Sequence, residues 1–199
     1  MAFFQPDKLP KLMVAPNGAR KIKKDHPEVP LTIRETVDVA KNCFEAGAGA
    51  IHLHVRNDNG EHVLDAGLYK EALNELEHQV PKMHIQVTTE AVGKYSPEEM
   101  RKLAYDVTPP GTSIGTAELI PSRNPTEEDI KLYKYLTEAG TKIQHILYNP
   151  QDVNLLVNLL NKAEISIEGA WCLFVIGHYT GKISYPEKIP EFLKVMKDN

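Results

Sequence analysis

Short apolar runs alternate with longer amphipathic stretches along the whole chain, and this alternation predicts its elements. Residues 11–15 (KLMVA) read as a first strand, 50–55 (AIHLHV) as a second and 84–88 (HIQVT) as a third. A Thr-rich fourth covers 111–116 and a fifth 142–148. The continuous apolar run 170–176 (AWCLFVI) reads as a sixth, of the kind expected where both faces of a parallel strand are buried. Between the strands the apolar spacing turns helical. Thr32 with Glu35 has the spacing of a capping box, and the helix it opens runs to about Ala46 and stops at Gly47. Asp65 heads a helix over 66–79, and Ser96-Pro97 with Glu99 opens a short one. Another helix starts at 126–129 and ends near Gly140. Val153, Leu155, Leu156, Leu159 and Leu160 mark the next, and 186–196 the last.

Strict alternation of strand and helix implies parallel strands joined by right-handed crossovers. An open doubly wound sheet and a (β/α) barrel both satisfy it. About six βα units are visible, whereas a closed barrel of this type needs about eight and roughly 250 residues. The 199 residues are ordinary globular composition, 42% hydrophobic and 25% charged, with no linker or low-complexity segment, and read as one domain over 1–199.

Charge and cysteine content narrow the function classes. Lys+Arg 23 against Asp+Glu 27 leaves a net charge of -4, which disfavours a nucleic-acid binder. The one basic cluster, Lys21-Ile-Lys-Lys24, reads as a solvated loop. Cys43 and Cys172 are far apart and form no CxxC, as expected of reduced thiols in a cytoplasmic protein. The first residues lack the apolar core of a signal peptide, and no run approaches the roughly 18 apolar residues that span a membrane. There is no phosphate loop, no dinucleotide fingerprint and no GxSxG elbow.

The chemistry concentrates in AIHLHVR, residues 50–56. Side chains two apart on a strand share a face at roughly 6.6–7 Å, so His52 and His54 project together while Ile51, Leu53 and Val55 turn to the other side. The pair lies near the carboxyl end of its strand, which is the active side of a parallel α/β protein. Two imidazoles so placed suit one zinc ion. Two buried histidines satisfied by neighbouring groups are the alternative, and burying both unpartnered is costly. Other polar residues sit at strand ends: Asn17 to Arg20, Thr88-Thr89-Glu90, Ser113, Thr116, Glu118, Tyr148-Asn149 and His178-Tyr179. Such convergence on one rim is typical of an enzyme of this architecture, although a turn, a strand or a cap explains each residue singly. Asn149 is a candidate for substrate contact.

The stretches Val14-Ala-Pro-Asn-Gly-Ala-Arg20, Asp25-His-Pro27, Pro30-Leu-Thr32, Glu45-Ala-Gly-Ala48, Ile51 to Arg56, Asp58-Asn-Gly60 and Gln86-Val-Thr-Thr89 together resemble the β-keto acid cleavage enzymes. Ile146-Leu-Tyr148 and Phe174 to Gly177 match more loosely. The resemblance implies a fold of TIM-barrel type and a divalent metal, usually zinc. It implies cleavage of a β-keto acid with acetyl-CoA, giving acetoacetate and a new acyl-CoA. It makes His52 and His54 metal ligands and Thr88 a substrate-contacting catalytic hydroxyl. Ser113 becomes a catalytic hydroxyl on the fourth strand, and Arg20 a reader of a polar or anionic group at the far end of the keto acid. It also implies a third ligand, a glutamate in a Gly-Phe-Glu motif on the last strand, beside an Asp and after an Arg. That motif does not occur in this sequence.

The expectation is therefore a barrel short of its last two βα units, as a fragment, a shortened form or a partial barrel completed by a partner. Glu90, Glu118 or His178 would then supply the missing ligand. Unpaired edges imply a homo-oligomer. A family member that binds metal without chemistry, or acts only with another chain, is the rival reading.

Overall fold

The computed structural model describes residues 8–177 and 185–198. Its described strands are β1 (Met13–Val14), β2 (Ala50–Leu53), β3 (His84–Thr88), β4 (Gly111–Gly115), β5 (Lys142–Leu147) and β6 (Trp171–Phe174). Each pairs in parallel with its sequence neighbour, in the order β1-β2-β3-β4-β5-β6. Helices α1 (Ile33–Glu45), α2 (Ala66–Gln79), α3 (Pro97–Val107), α4 (Thr116–Leu119), α5 (Glu127–Glu138), α6 (Pro150–Lys162) and α7 (Ile189–Lys197) carry the chain between and beyond them. This is an incomplete α/β barrel of TIM type with β1 and β6 as its edges.

The helix boundaries follow from local chemistry. Thr32 Oγ1 accepts from the Glu35 amide, and the Glu35 carboxylate accepts from the Thr32 and Leu31 amides. Ser96 with Glu99 and Thr126 with Asp129 repeat the arrangement. Gly47, at φ +103°, takes the chain out of α1 through a conformation that a side chain would strain. The Leu31 amide, then Lys23 and the Thr32 amide, hold Glu35 down to about pKa 2 from 4.5. A depressed carboxylate stabilises the fold fully above its unfolded pKa and loses that contribution as pH falls through the folded one. Replacing Glu35 by Ala should cost about 0.5–1 kcal/mol at neutral pH, solvent screening at this half-exposed site keeping it small. Urea unfolding of the two proteins should show the gap closing between pH 4.5 and about 2.

Strand parity divides the sheet into two chemically different faces. Ile51, Leu53, Val55, Ile85 and Val87 turn outward and pack under α1 and α2 with Leu73 and Leu76, all buried. Ile114 and Leu147 do the same with Leu132, Leu136, Leu156 and Leu159 from α5 and α6. Burial of each such side chain is worth roughly 1.5–3 kcal/mol, so parity is strongly specified. The opposite face carries His52, His54, Gln86, Thr88, Ser113 and Gln144.

Two sequence expectations need correction. Thr116 ends no strand: it opens the single turn of α4, which brings Glu118 back over the rim. Nor is β6 buried on both faces, for Leu173 is 42% exposed. Among the described strands β6 has β5 as its one hydrogen-bonded neighbour, and Leu173 lies open on its inner face.

A histidine pair at the strand rim

His52 Nε2 and His54 Nε2 face each other 3.0 Å apart at the end of β2. The rings stand edge to face, with centroids 4.9 Å apart and planes inclined by 68°. Gln86 Oε1 lies 2.7 Å from His52 Nδ1 and, being a carbonyl oxygen, accepts the proton there. The lone pair of His52 is thereby placed on Nε2. Burial lowers the pKa of His52. It lowers that of His54 further, with the His52, His62 and Arg56 charges adding to the effect. Both rings are neutral at physiological pH, the form in which imidazole binds metal. His54 is 2% exposed, and its Nδ1 is buried with no partner among the described residues.

These features fit a shared divalent cation. Zinc–nitrogen bonds of about 2.0–2.1 Å bring two ligand nitrogens to roughly 3.0–3.4 Å from each other. Glu90 Oε2 lies 3.9 Å from His54 Nε2. No group of three His, Cys, Asp or Glu able to hold a metal ion occurs among the described residues. Of the expected substitute ligands, Glu90 thus stands beside the pair. Glu118 instead accepts from the Ala91 amide and from Tyr148, and burial first, then Glu90, raises its pKa. A Cβ at Gly115 would come within 2.5 Å of Glu118 Oε2, so the glycine makes room for that carboxylate. His178, with Tyr179, lies outside the described residues.

A cavity of about 420 Å³ opens over the pair. Its polar wall comprises His52, His54, Gln86, Thr88, Glu90, Gln144 and Tyr148, and its apolar wall includes Met13, Ile146, Leu173 and Val175. Thr88 Oγ1 accepts from the Glu90 amide, which leaves its own proton to donate. Ser113 pairs with Thr88 in the sheet but stands outside the cavity wall, its buried Oγ unpartnered among the described residues. Arg20 is exposed on the loop after β1, two residues beyond Gly18, which does line the cavity. Asn149 does not line it: it caps α6, its amide donating to Asp152, and Tyr148 reaches the cavity from that strand end.

Several residues take supporting roles that the sequence did not assign to them. Asn17 Nδ2 donates to the carbonyls of His54 and Pro30, tying the first loop to the end of β2. Arg56, 7% exposed, donates to the carbonyls of Gly18, Ala19 and Lys21. His62 returns beside β2 through an antiparallel bridge with Arg56, donates to the Glu90 carbonyl and sets its ring 4.9 Å from His54. Gln86 was detectable by parity, two residues before Thr88 on the same face.

A family model described as beta-keto acid cleavage enzyme matches residues 11–199. A 3-keto-5-aminohexanoate cleavage enzyme of Acetoanaerobium sticklandii is 28% identical over 152 residues, 74% of this chain and 56% of that protein. A 3-oxoadipate:acetyl-CoA acetyltransferase of Cupriavidus necator is 36% identical over 78 residues, 39% of this chain and 28% of that protein. A solved ternary complex of ObcA with C4-CoA adduct and oxalate superimposes with a TM-score of 0.64 at 13% identity, over 86% of this chain and 49% of that one. At that identity the likeness is one of fold. The chain spans about half the length of the aminohexanoate-cleavage relatives it matches.

Proposed function

The chain belongs to the beta-keto acid cleavage enzyme family, and from that premise we propose that it cleaves a β-keto acid with acetyl-CoA, yielding acetoacetate and an acyl-CoA. His52 and His54 hold a divalent cation, zinc in this reading. The observation that carries the proposal is the facing of two neutral imidazole nitrogens at 3.0 Å, one of them fixed in the metal-binding tautomer by Gln86.

When bound, the cation supplies Lewis acidity toward the keto oxygen. The chain's own groups orient the substrate. Thr88, in the cavity wall, donates its hydroxyl proton to a substrate oxygen, while Ser113, paired with it on β4 but outside that wall, has no substrate contact in this reading. Arg20, on its exposed loop, meets a polar or anionic substituent at the far end of the keto acid. The apolar wall of Met13, Ile146, Leu173 and Val175 takes the carbon chain and thins the water around the reacting carbons. No helix among the described residues is long and apolar enough to cross a membrane.

A second reading has one observation in its favour. Leu173 lies open on the inner face of an edge strand, as it would in a chain that binds metal but needs another chain, or a second copy, to close the pocket. The two readings separate on turnover. Zinc-loaded protein with acetyl-CoA and a panel of β-keto acids should form acetoacetate and acyl-CoA in equal amounts. Metal retained with no acetoacetate from any acid selects the second reading. Full turnover after complete chelation removes the cation from the first.

A further inference from the structure

We propose that Gln86 binds substrate directly: while its carbonyl oxygen holds the His52 ring, its amide nitrogen donates to a carboxylate oxygen of the β-keto acid. This role rests on the function proposed above and adds a residue to it. The reasoning begins with the imidazole. A histidine that offers a lone pair on Nε2 carries its proton on Nδ1 and needs an acceptor there. Gln86 Oε1, at 2.7 Å, is that acceptor. With the oxygen committed, the amide has one orientation left, and its NH2 group turns away from His52.

Nothing among the described residues receives that NH2. Gln86 is fully buried, and its Nε2 has no hydrogen-bond partner. In the sheet it stands between His52 on β2 and Gly111 on β4, and a glycine offers no side-chain acceptor. Ser113 Oγ, the next inward side chain of β4, is likewise buried without a partner and does not reach the amide. Buried N–H groups are nearly always paired, so the unpaired NH2 of a residue that lines the cavity points to an acceptor that arrives with the ligand.

The chemistry of that acceptor follows from charge. Glu90 flanks the pair on the His54 side, 3.9 Å from His54 Nε2. A substrate carboxylate is repelled from that side and drawn to the His52 side, where Gln86 stands. An amide NH2 can only donate there, so it accommodates an anionic oxygen and has nothing to offer an ammonium or hydroxyl proton.

Two substitutions divide the roles. Gln86→Glu keeps an acceptor for His52 but removes the donor and adds a like charge. Gln86→Leu removes both. Cobalt(II) binding followed by absorbance, and acetoacetate binding to the cobalt-loaded protein followed by calorimetry, read the two roles without turnover. Gln86→Glu should hold cobalt within about threefold of wild type or more tightly, since a carboxylate behind the ring strengthens the ligand. It should bind acetoacetate about 10- to 100-fold more weakly. Gln86→Leu should lose affinity for both, with an unchanged circular dichroism spectrum. Equal acetoacetate binding by wild type and Gln86→Glu overturns the inference alone, and so does a joint loss of cobalt and acetoacetate in Gln86→Glu. A cobalt-loaded wild type that binds no acetoacetate overturns the proposed function and this role with it.

Discussion

Replacing His54 by Ala should remove the bound metal and the activity while leaving the protein as stable as before. One of two facing nitrogens disappears, and the single imidazole of His52 does not retain a divalent cation at micromolar concentrations. Removal of a group that merely orients a ligand costs about 10- to 100-fold in metal affinity, so loss of a ligand itself should cost at least about 100-fold. Turnover should fall by about 10³ or more, the scale seen when one electrostatic stabiliser of a developing oxyanion is deleted. Stability should not follow. His54 is 2% exposed and carries a buried Nδ1 without a partner among the described residues, a group that burdens the fold. Its deletion should shift the unfolding midpoint by only a few tenths of a kcal/mol in either direction. Elemental analysis, a turnover assay and urea unfolding on the same preparation check all three statements. Full zinc content in the alanine variant would remove the metal centre from this chain's chemistry.

Arg56→Ala should show the opposite pattern, a large loss of stability together with a loss of substrate affinity. The guanidinium is almost fully buried at the end of β2 and bonds three carbonyls of the loop after β1. Burial lowers its pKa, yet a guanidinium stays charged at any ordinary pH. Hydrogen bonds from a charged group contribute about 1.5–3 kcal/mol each at most, and they share one side chain here. A total cost of about 2–4 kcal/mol is expected, measured by urea unfolding, because the three carbonyls lose their donor together. The loop that Arg56 ties down carries Asn17, which holds the His54 carbonyl, and Arg20. KM for the keto acid should therefore rise more than kcat falls. Arg56→Lys should rescue only part of the loss, since an ammonium lacks the planar fork that reaches Gly18, Ala19 and Lys21 at once. Unchanged stability in Arg56→Ala would show the loop to be held by other contacts.

Much of this architecture is legible in the sequence. The capping residues Thr32 and Ser96 act where their spacing to Glu35 and Glu99 placed them, and the helix start read at 126–129 is capped by Thr126. The helix read over 66–79 and the strand over 84–88 have those bounds in the structure. Parity alone put His52 and His54 on one face. The failures have equally specific causes. The run at 170–176 is apolar enough for a doubly buried strand, but what packs on its two faces decides whether it is one, and Leu173 is open. Asn149 was read from its position at a strand end, whereas it is itself the cap of α6, and Tyr148 is the residue that lines the cavity there. Gln86 passed for an ordinary strand residue because its partner lies 34 positions away.

The sequence by itself determined the order of the strands and of the longer helices, most of their capped ends and the side to which each strand residue points, but not the single turn of α4. These are properties of groups within a few residues of one another: periods of two and 3.6, caps three residues apart, glycines where the backbone turns left-handed. Only the tertiary structure decided that two imidazole nitrogens meet at 3.0 Å, that an amide of the next strand fixes the proton on one of them, and that a buried arginine binds the neighbouring loop. Those outcomes depend on the register between strands and on how much water is excluded around them, and no local stretch of the chain encodes either quantity.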